Sequence, residues 1–167
     1  MAESTSLQLI TTSEQREIAE RLWQLYSHDL SEFRGYRPDG SGLYKNARLL
    51  SFFGDPDRCG YLTYRDQAPV GFVLIRGLAG EIRVMGEFFV VRAARRQRVG
   101  HDAAVKVTSL HPGRWAIPFQ EENLGAARFW RLVGAELAIA NCKEERRPIA
   151  GKPEIPPDTW LLLSTTT

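Results

Sequence analysis

The sequence predicts a mixed α/β (α+β) domain. A mostly antiparallel, twisted sheet of six or seven strands is interrupted at its centre by a parallel β-loop-α-β unit and covered by about four helices. Three observations predict it. Two apolar stretches, 60–65 and 69–76, flank the turn Asp66-Gln67-Ala68 and read as a β-hairpin. The stretch 82–91 ends in the wholly apolar Phe88-Phe89-Val90-Val91, as a strand buried on both faces does. That strand then runs through a short basic loop into a helix and a further strand, the order of a parallel crossover.

Each element has its own signal. Residues 7–11 read as a short strand. Thr12 or Ser13 follows as a helix cap, with Gln15 spaced for a capping box. Ile18, Leu22, Leu25 and Tyr26 recur at helical spacing on an apolar face, and a second short helix is expected over 28–33. Residues 35–57 lack a clean period and read as a long, partly ordered loop. After the basic loop, a helix over 101–110 turns Ala103, Ala104, Val107 and Leu110 inward, and His111-Pro112-Gly113 stops it. A strand follows over 114–119. A helix over 122–133 presents Ala126, Ala127, Trp130 and Val133, with Gly134 as its end. Strands over 136–142 and 159–164 flank a proline-rich loop. Trp23, Trp115 and Trp160 read as core.

Composition narrows the functional classes. A chain of 167 residues suits one domain, and with 43% hydrophobic and 25% charged residues it is neither disordered nor fibrous. Its apolar runs fall far short of the roughly 20 residues of a membrane helix. Met1-Ala2-Glu3-Ser4 lacks the basic start of a secretory signal, so a soluble cytoplasmic protein without a membrane partner is expected. Cys59 and Cys142 form no CxxC pair and read as free thiols. His28, His101 and His111 have no ligand spacing, so no metal is expected.

The net charge of +2 matters less than its distribution. Between Arg92 and Arg114 six basic residues face one acid, Asp102. The cluster sits where a buried strand becomes a helix. The first N–H groups of a helix have no internal partner and carry partial positive charge, so this turn is an anion site of the kind used for phosphates. It is neither a Walker loop nor a GxGxxG fingerprint.

Arg95-Arg96-Gln97-Arg98-Val99-Gly100 resembles the [Q/R]-x-x-G-x-[G/A] acyl-CoA pyrophosphate loop of the GNAT superfamily of N-acetyltransferases, with Arg98 in place of the first glycine. Asn123-x-x-x-Ala127-x-x-Trp130-x-x-x-Gly134 is similar to the family's N-x-x-x-A-x-x-Y-x-x-x-G block on the following helix. Gly86-Glu87-Phe88-Phe89-Val90, Arg95-Arg96-Gln97 and Phe129-Trp130-Arg131 resemble, more narrowly, a bacterial group of predicted acetyltransferases. The motifs cover 82–134, about a third of the chain.

The resemblance implies a single GNAT-like domain over 1–167. Residues 1–58 would supply the first strand, the first helix and an acceptor lid, and 82–134 the acyl-CoA core. It implies acetyl-CoA as cosubstrate and direct transfer of acetyl to an amine acceptor. The backbones of Val90 and Val91 would hold the pantetheine. Arg95, Arg96, Gln97, Arg98, Val99 and Gly100 would hold the pyrophosphate with His101 beside it, and Asn123, Ala127 and Trp130 would line the pantetheine arm. Family members are often homodimers.

Glu87 is the candidate general base, an acid inside an apolar strand at about the position where the family carries one. The family's tyrosine acid is replaced by Trp130, whose indole N–H has no useful acidity, so the leaving thiolate draws its proton elsewhere. His28, Glu32, Tyr36 and Tyr44 fall in the acceptor-lid region as candidate substrate contacts, and the acids there hint at a cationic substrate. Two other readings compete: a non-catalytic CoA-binding sensor, motivated by Trp130, and a nucleic-acid-binding module built on the basic stretch.

Overall fold

The computed structural model describes residues 4–165. Met1–Glu3, on which most of the leader expectation rested, lie outside the described residues. Seven strands form one sheet in the order β1-β2-β3-β4-β5-β7-β6. They are β1 (Thr5–Leu9), β2 (Arg58–Arg65), β3 (Ala68–Arg76), β4 (Ile82–Val90), β5 (Arg114–Phe119), β6 (Lys143–Arg147) and β7 (Asp158–Ser164). Every adjacent pair is antiparallel except β4 and β5, which run parallel. The helices are α1 (Ser13–Arg34), α2 (Ala47–Leu50), α3 (Val99–Leu110) and α4 (Leu124–Leu137).

The sheet separates two cores. On one face Leu22, Trp23 and Leu49, from α1 and α2, pack on Leu62, Phe72, Leu74 and Phe89. On the other, Ala103, Val107, Ala127, Trp130 and Val133 of α3 and α4 pack on Val73, Ile75, Met85, Trp115 and Ile117. Alternate residues of β3 thus feed both cores, which explains its unbroken apolar run.

The capping box forms as expected. The Gln15 N–H donates to Thr12 Oγ1 at 3.2 Å, and the Thr12 N–H donates to Gln15 Oε1 at 3.0 Å. The rest of α1 differs from expectation. It is one helix of 22 residues, because neither glycine nor proline interrupts it before Gly35, whose φ of +66° ends it in the left-handed region. Ala19, Trp23 and Leu30 extend the buried stripe, while Leu25 is 52% exposed. Leu110 is likewise exposed rather than inward. The irregular 35–57 segment contains the single-turn α2.

Three corrections concern the C-terminal third. Helix α4 runs through Gly134 to Leu137, because a side chain at position 134 would meet Leu161 Cδ2 at 2.3 Å and glycine lets helix and sheet close up. The sixth strand is 143–147 and not 136–142. Its sequence Lys-Glu-Glu-Arg-Arg has no apolar alternation and is exposed throughout, since it pairs only with β7 at the sheet edge. Cys142 accordingly precedes the strand, with its thiol donating to the Gly134 carbonyl at 3.3 Å. Trp160 is half-buried, with the guanidinium groups of Arg76 and Arg147 5.9 and 4.6 Å from its ring centroid.

Candidate active site

The site begins with a break between β4 and β5. Their pairing covers only Ile82↔Arg114 to Val84↔Ala116. Immediately beyond it the β3–β4 register slips, with Ile75 opposite Met85 and Leu74 opposite Glu87. Gly86 is the extra residue of this bulge. A side chain there would strike the Phe52 ring at 2.9 Å, so only glycine fits. The bulge turns Glu87 and Phe89 to the α1 face and Phe88 to the α3–α4 face. Beyond it β4 and β5 diverge, and a cleft of about 210 Å³ opens between them, lined in part by Gly86, Glu87, Phe88, Pro118, Asn123 and Trp130.

At the loop end, β4 finishes at Val90 and a short 3₁₀ turn covers Arg92–Ala94. Arg96 and Arg98 both take left-handed backbone, with φ of +62° and +64°. Arg98 therefore adopts the conformation that glycine supplies in the motif, at a cost of roughly 1 kcal/mol. The first backbone bond of α3 is Asp102 N–H to the Arg98 carbonyl at 2.9 Å, so the amides of Val99, Gly100 and His101 form the open end of the helix.

The arginines divide into two sets. Arg92 Nη2 lies 2.9 Å from Asp29 Oδ1, and Arg95 binds the other oxygen of Asp29 and the Val90 carbonyl, the latter at 2.8 Å. These two fasten the loop to α1. Gln97 is also structural: its side-chain amide donates to the Ala93 carbonyl at 2.9 Å, and its backbone carbonyl accepts from Arg65 at 2.8 Å. Arg96 and Arg98 stay exposed at the helix entrance. Gly100 faces Phe129, 3.3 Å from the position of a Cβ, so its lack of a side chain serves helix packing as well. His101 is drawn toward α4, its Nε2 lying 2.7 Å from Glu136.

The expected pantetheine contacts are only partly available. The Val91 N–H donates to the Val70 carbonyl at 2.8 Å and is committed to β3. Backbone alternation then turns the Val90 N–H the other way, toward the gap left by β5. Asn123 caps α4, its Oδ1 accepting from the Ala126 N–H at 3.2 Å, and it also borders the cleft. Ala127 belongs to the core, and Ala126 takes its place along the cleft. Trp130 does both, packing edge-on against Phe88 and Phe129 with ring centroids 4.8 Å away in each case.

At the far end Glu87 is buried, with 7% of its surface exposed. The Tyr26 hydroxyl donates to its Oε2, and Arg48 Nε donates to Oε1 at 2.8 Å. Burial raises the Glu87 carboxyl above its ordinary value, against the opposing pull of Arg48 and the Tyr26 hydrogen bond. Burial, then the charge of Glu87, raises the Tyr26 phenol as well. Beneath them the almost fully buried Arg34 joins Glu122 at 2.9 Å and Asp158 at 2.5 Å.

Of the four candidate acceptor contacts only Tyr36 borders the cleft. His28 and Tyr44 contact each other at 3.3 Å beside it, and Glu32 does not line it. The residues missed in sequence are Tyr26, Arg34, Arg48, Lys152 and Asp158, which converge on the cleft from α1, α2, the proline-rich loop and β7. Tyr26 alone had a signal, as a phenol on the apolar stripe of α1.

Comparison with known proteins gives the fold its name. No family model and no curated protein matches the sequence, but many solved structures match the fold. An acetyltransferase from Thermus thermophilus superposes with a TM-score of 0.69 at 17% identity, over 98% of this chain and 99% of the other. A probable acetyltransferase of the GNAT family from Chromobacterium violaceum gives 0.66 at 19% identity, over 99% and 84%. Spermidine N-acetyltransferase from Vibrio cholerae, in complex with CoA and spermine, gives 0.69 at 9% identity, over 96% and 95%. The chain has the GNAT acetyltransferase fold. Among the described residues no helix is long and apolar enough to cross a membrane.

Proposed function

We propose that the protein is an N-acetyltransferase that binds acetyl-CoA in the β4–β5 cleft and passes the acetyl group to a primary amine. One observation carries this reading: the cleft opened by the Gly86 bulge is lined by the buried Glu87 carboxylate and by Phe88, whose ring lies against Gly100 at the open end of α3. The residues present fit the cosubstrate. The amides of Val99 to His101, with Arg96 and Arg98, suit a pyrophosphate. The inward-turned Val90 N–H suits the pantetheine and the thioester carbonyl, where it stabilises developing negative charge.

Bound acetyl-CoA supplies a thioester carbon, at which the C–N bond forms as the C–S bond breaks. Glu87 takes the proton that the amine loses. Burial makes it a stronger base than an ordinary carboxylate, and Tyr26 and Arg48 fix its orientation. Trp130 cannot return a proton to the thiolate, so that proton comes from another group or from solvent.

The sensor reading keeps the same cofactor site and is favoured by Trp130 alone. The nucleic-acid reading loses support from Asp29, which pairs with two of the five basic residues from Arg92 to Lys106 on which it was built. The deciding experiment is calorimetric titration with acetyl-CoA, followed by thiol-release assays across an amine panel. Micromolar binding that Arg98→Glu weakens at least tenfold, together with turnover of one amine class, is the expected result. Binding without any turnover would favour the sensor. No binding would overturn both.

A further inference from the structure

We infer that the acceptor carries a carboxylate next to its reacting amine, as a free amino acid does. The inference rests on the acetyltransferase reading and adds the substrate class. It reverses the sequence-based hint of a cationic acceptor, because the acids behind that hint do not serve the cleft. Asp29 is held by Arg92 and Arg95, and Glu32 does not border the cleft. The two carboxylates that do border it are already matched, Glu87 by Arg48 and Asp158 by Arg34.

What the cleft offers instead is positive. Arg48 has five N–H donors in a planar fork, and Glu87 engages only one side of it. The guanidinium also lies over the Trp23 ring, 5.6 Å from its centroid, and the Tyr36 hydroxyl rests against it. It is thus held in place, yet the Arg48 side chain remains 52% exposed at the cleft. Lys152 borders the same space, and among the described residues no carboxylate pairs with it.

Proximity sets the position of the carboxylate. Arg48 Nε is 2.8 Å from the carboxylate that takes the proton. A group held by the free side of Arg48 must therefore sit within a few bonds of the amine. An α-amino acid meets this condition; a polyamine, with cations at both ends, would meet Arg48 and Lys152 with like charge. Arg48 and Lys152 act here as specificity residues and Glu87 as the base.

The test titrates the protein, with and without CoA, with L-amino acids, each beside its carboxamide and its decarboxylated amine. Thiol release from acetyl-CoA is measured on the same compounds. For at least one amino acid, binding and kcat/KM should exceed those of both partners by tenfold or more. Arg48→Gln should shrink that gap to within about twofold through KM, Arg48→Lys should restore part of it, and Lys152→Gln, on an exposed loop, should reduce it about threefold. Equal or better performance by the amines or carboxamides, or no binding by any amino acid, overturns the inference. Turnover of plain amines alone would overturn it while leaving the acetyltransferase reading intact. Amino-acid binding without turnover of any compound would overturn the acetyltransferase reading and, with it, the acceptor inference, leaving an amino-acid-binding site.

Discussion

The Tyr26 hydroxyl donates a hydrogen bond to Glu87 across 61 positions of sequence, joining the middle of α1 to the residue that follows the β4 bulge. The bond favours the charged form of Glu87, as does Arg48, while burial opposes both. The carboxylate is therefore held at a balance that single substitutions displace in known directions.

Glu87→Gln should lower kcat by roughly 10² to 10⁴, the usual contribution of a general base, with acetyl-CoA affinity unchanged by calorimetry. An unchanged kcat would remove Glu87 from the mechanism.

The pH–rate profile follows from the sign of the shift. A base acts when ionised, and the Glu87 carboxyl is raised. The rising limb of kcat/KM should therefore lie above the ordinary carboxylate range. Tyr26→Phe removes a contact that lowers the pKa, so it should move that limb to higher pH. A limb that stays in place or moves to lower pH would contradict the assignment. Linkage gives a companion effect on stability. A raised carboxyl favours folding fully below its unfolded pKa, and that gain is lost as pH rises through the folded value. Urea unfolding of Glu87→Gln should lack this decline.

Arg34 is an almost fully buried cation held by Glu122 and Asp158. Arg34→Met strands two acids near the cleft and should cost about 3 kcal/mol or more by urea unfolding. Arg34→Met with Asp158→Asn should recover part of that loss. Additive losses would mean that the pair is not coupled.

Arg98 holds a left-handed backbone that β-branched residues resist. Arg98→Val should destabilise by more than about 1 kcal/mol, whereas Arg98→Gly should be tolerated and keep micromolar acetyl-CoA binding. Loss of binding in Arg98→Gly would show that the side chain, not the backbone, holds the phosphates.

These features were unequally legible in the sequence. The hairpin, the buried fourth strand and the basic turn into α3 are local patterns, and each falls within about three residues of its expected place. Strand β6 was misplaced because its five charged residues take extended form only through pairing with β7. The candidate base was readable, since an acid inside an apolar strand is unusual. Its partners were not. Arg48 lies in a segment without periodicity and Asp158 opens the last strand, and only the tertiary fold brings either one to the cleft. The charge of the loop misled for a related reason, because sequence counts arginines but does not reveal that Asp29 neutralises two of them.

Helix α1 gives these parts a common frame. Within nine residues of one helix, Tyr26 reaches Glu87, Asp29 ties down the loop and Arg34 pairs with Asp158 at the cleft. Eight steps of 1.5 Å separate the first from the last, about 12 Å along the helix axis. Inserting or deleting one residue between Ser27 and Ser31 would turn everything on one side of the change by about 100° relative to the other. Tyr26, Asp29 and Arg34 could then no longer all meet their partners, so this stretch of α1 can exchange side chains but cannot change its length.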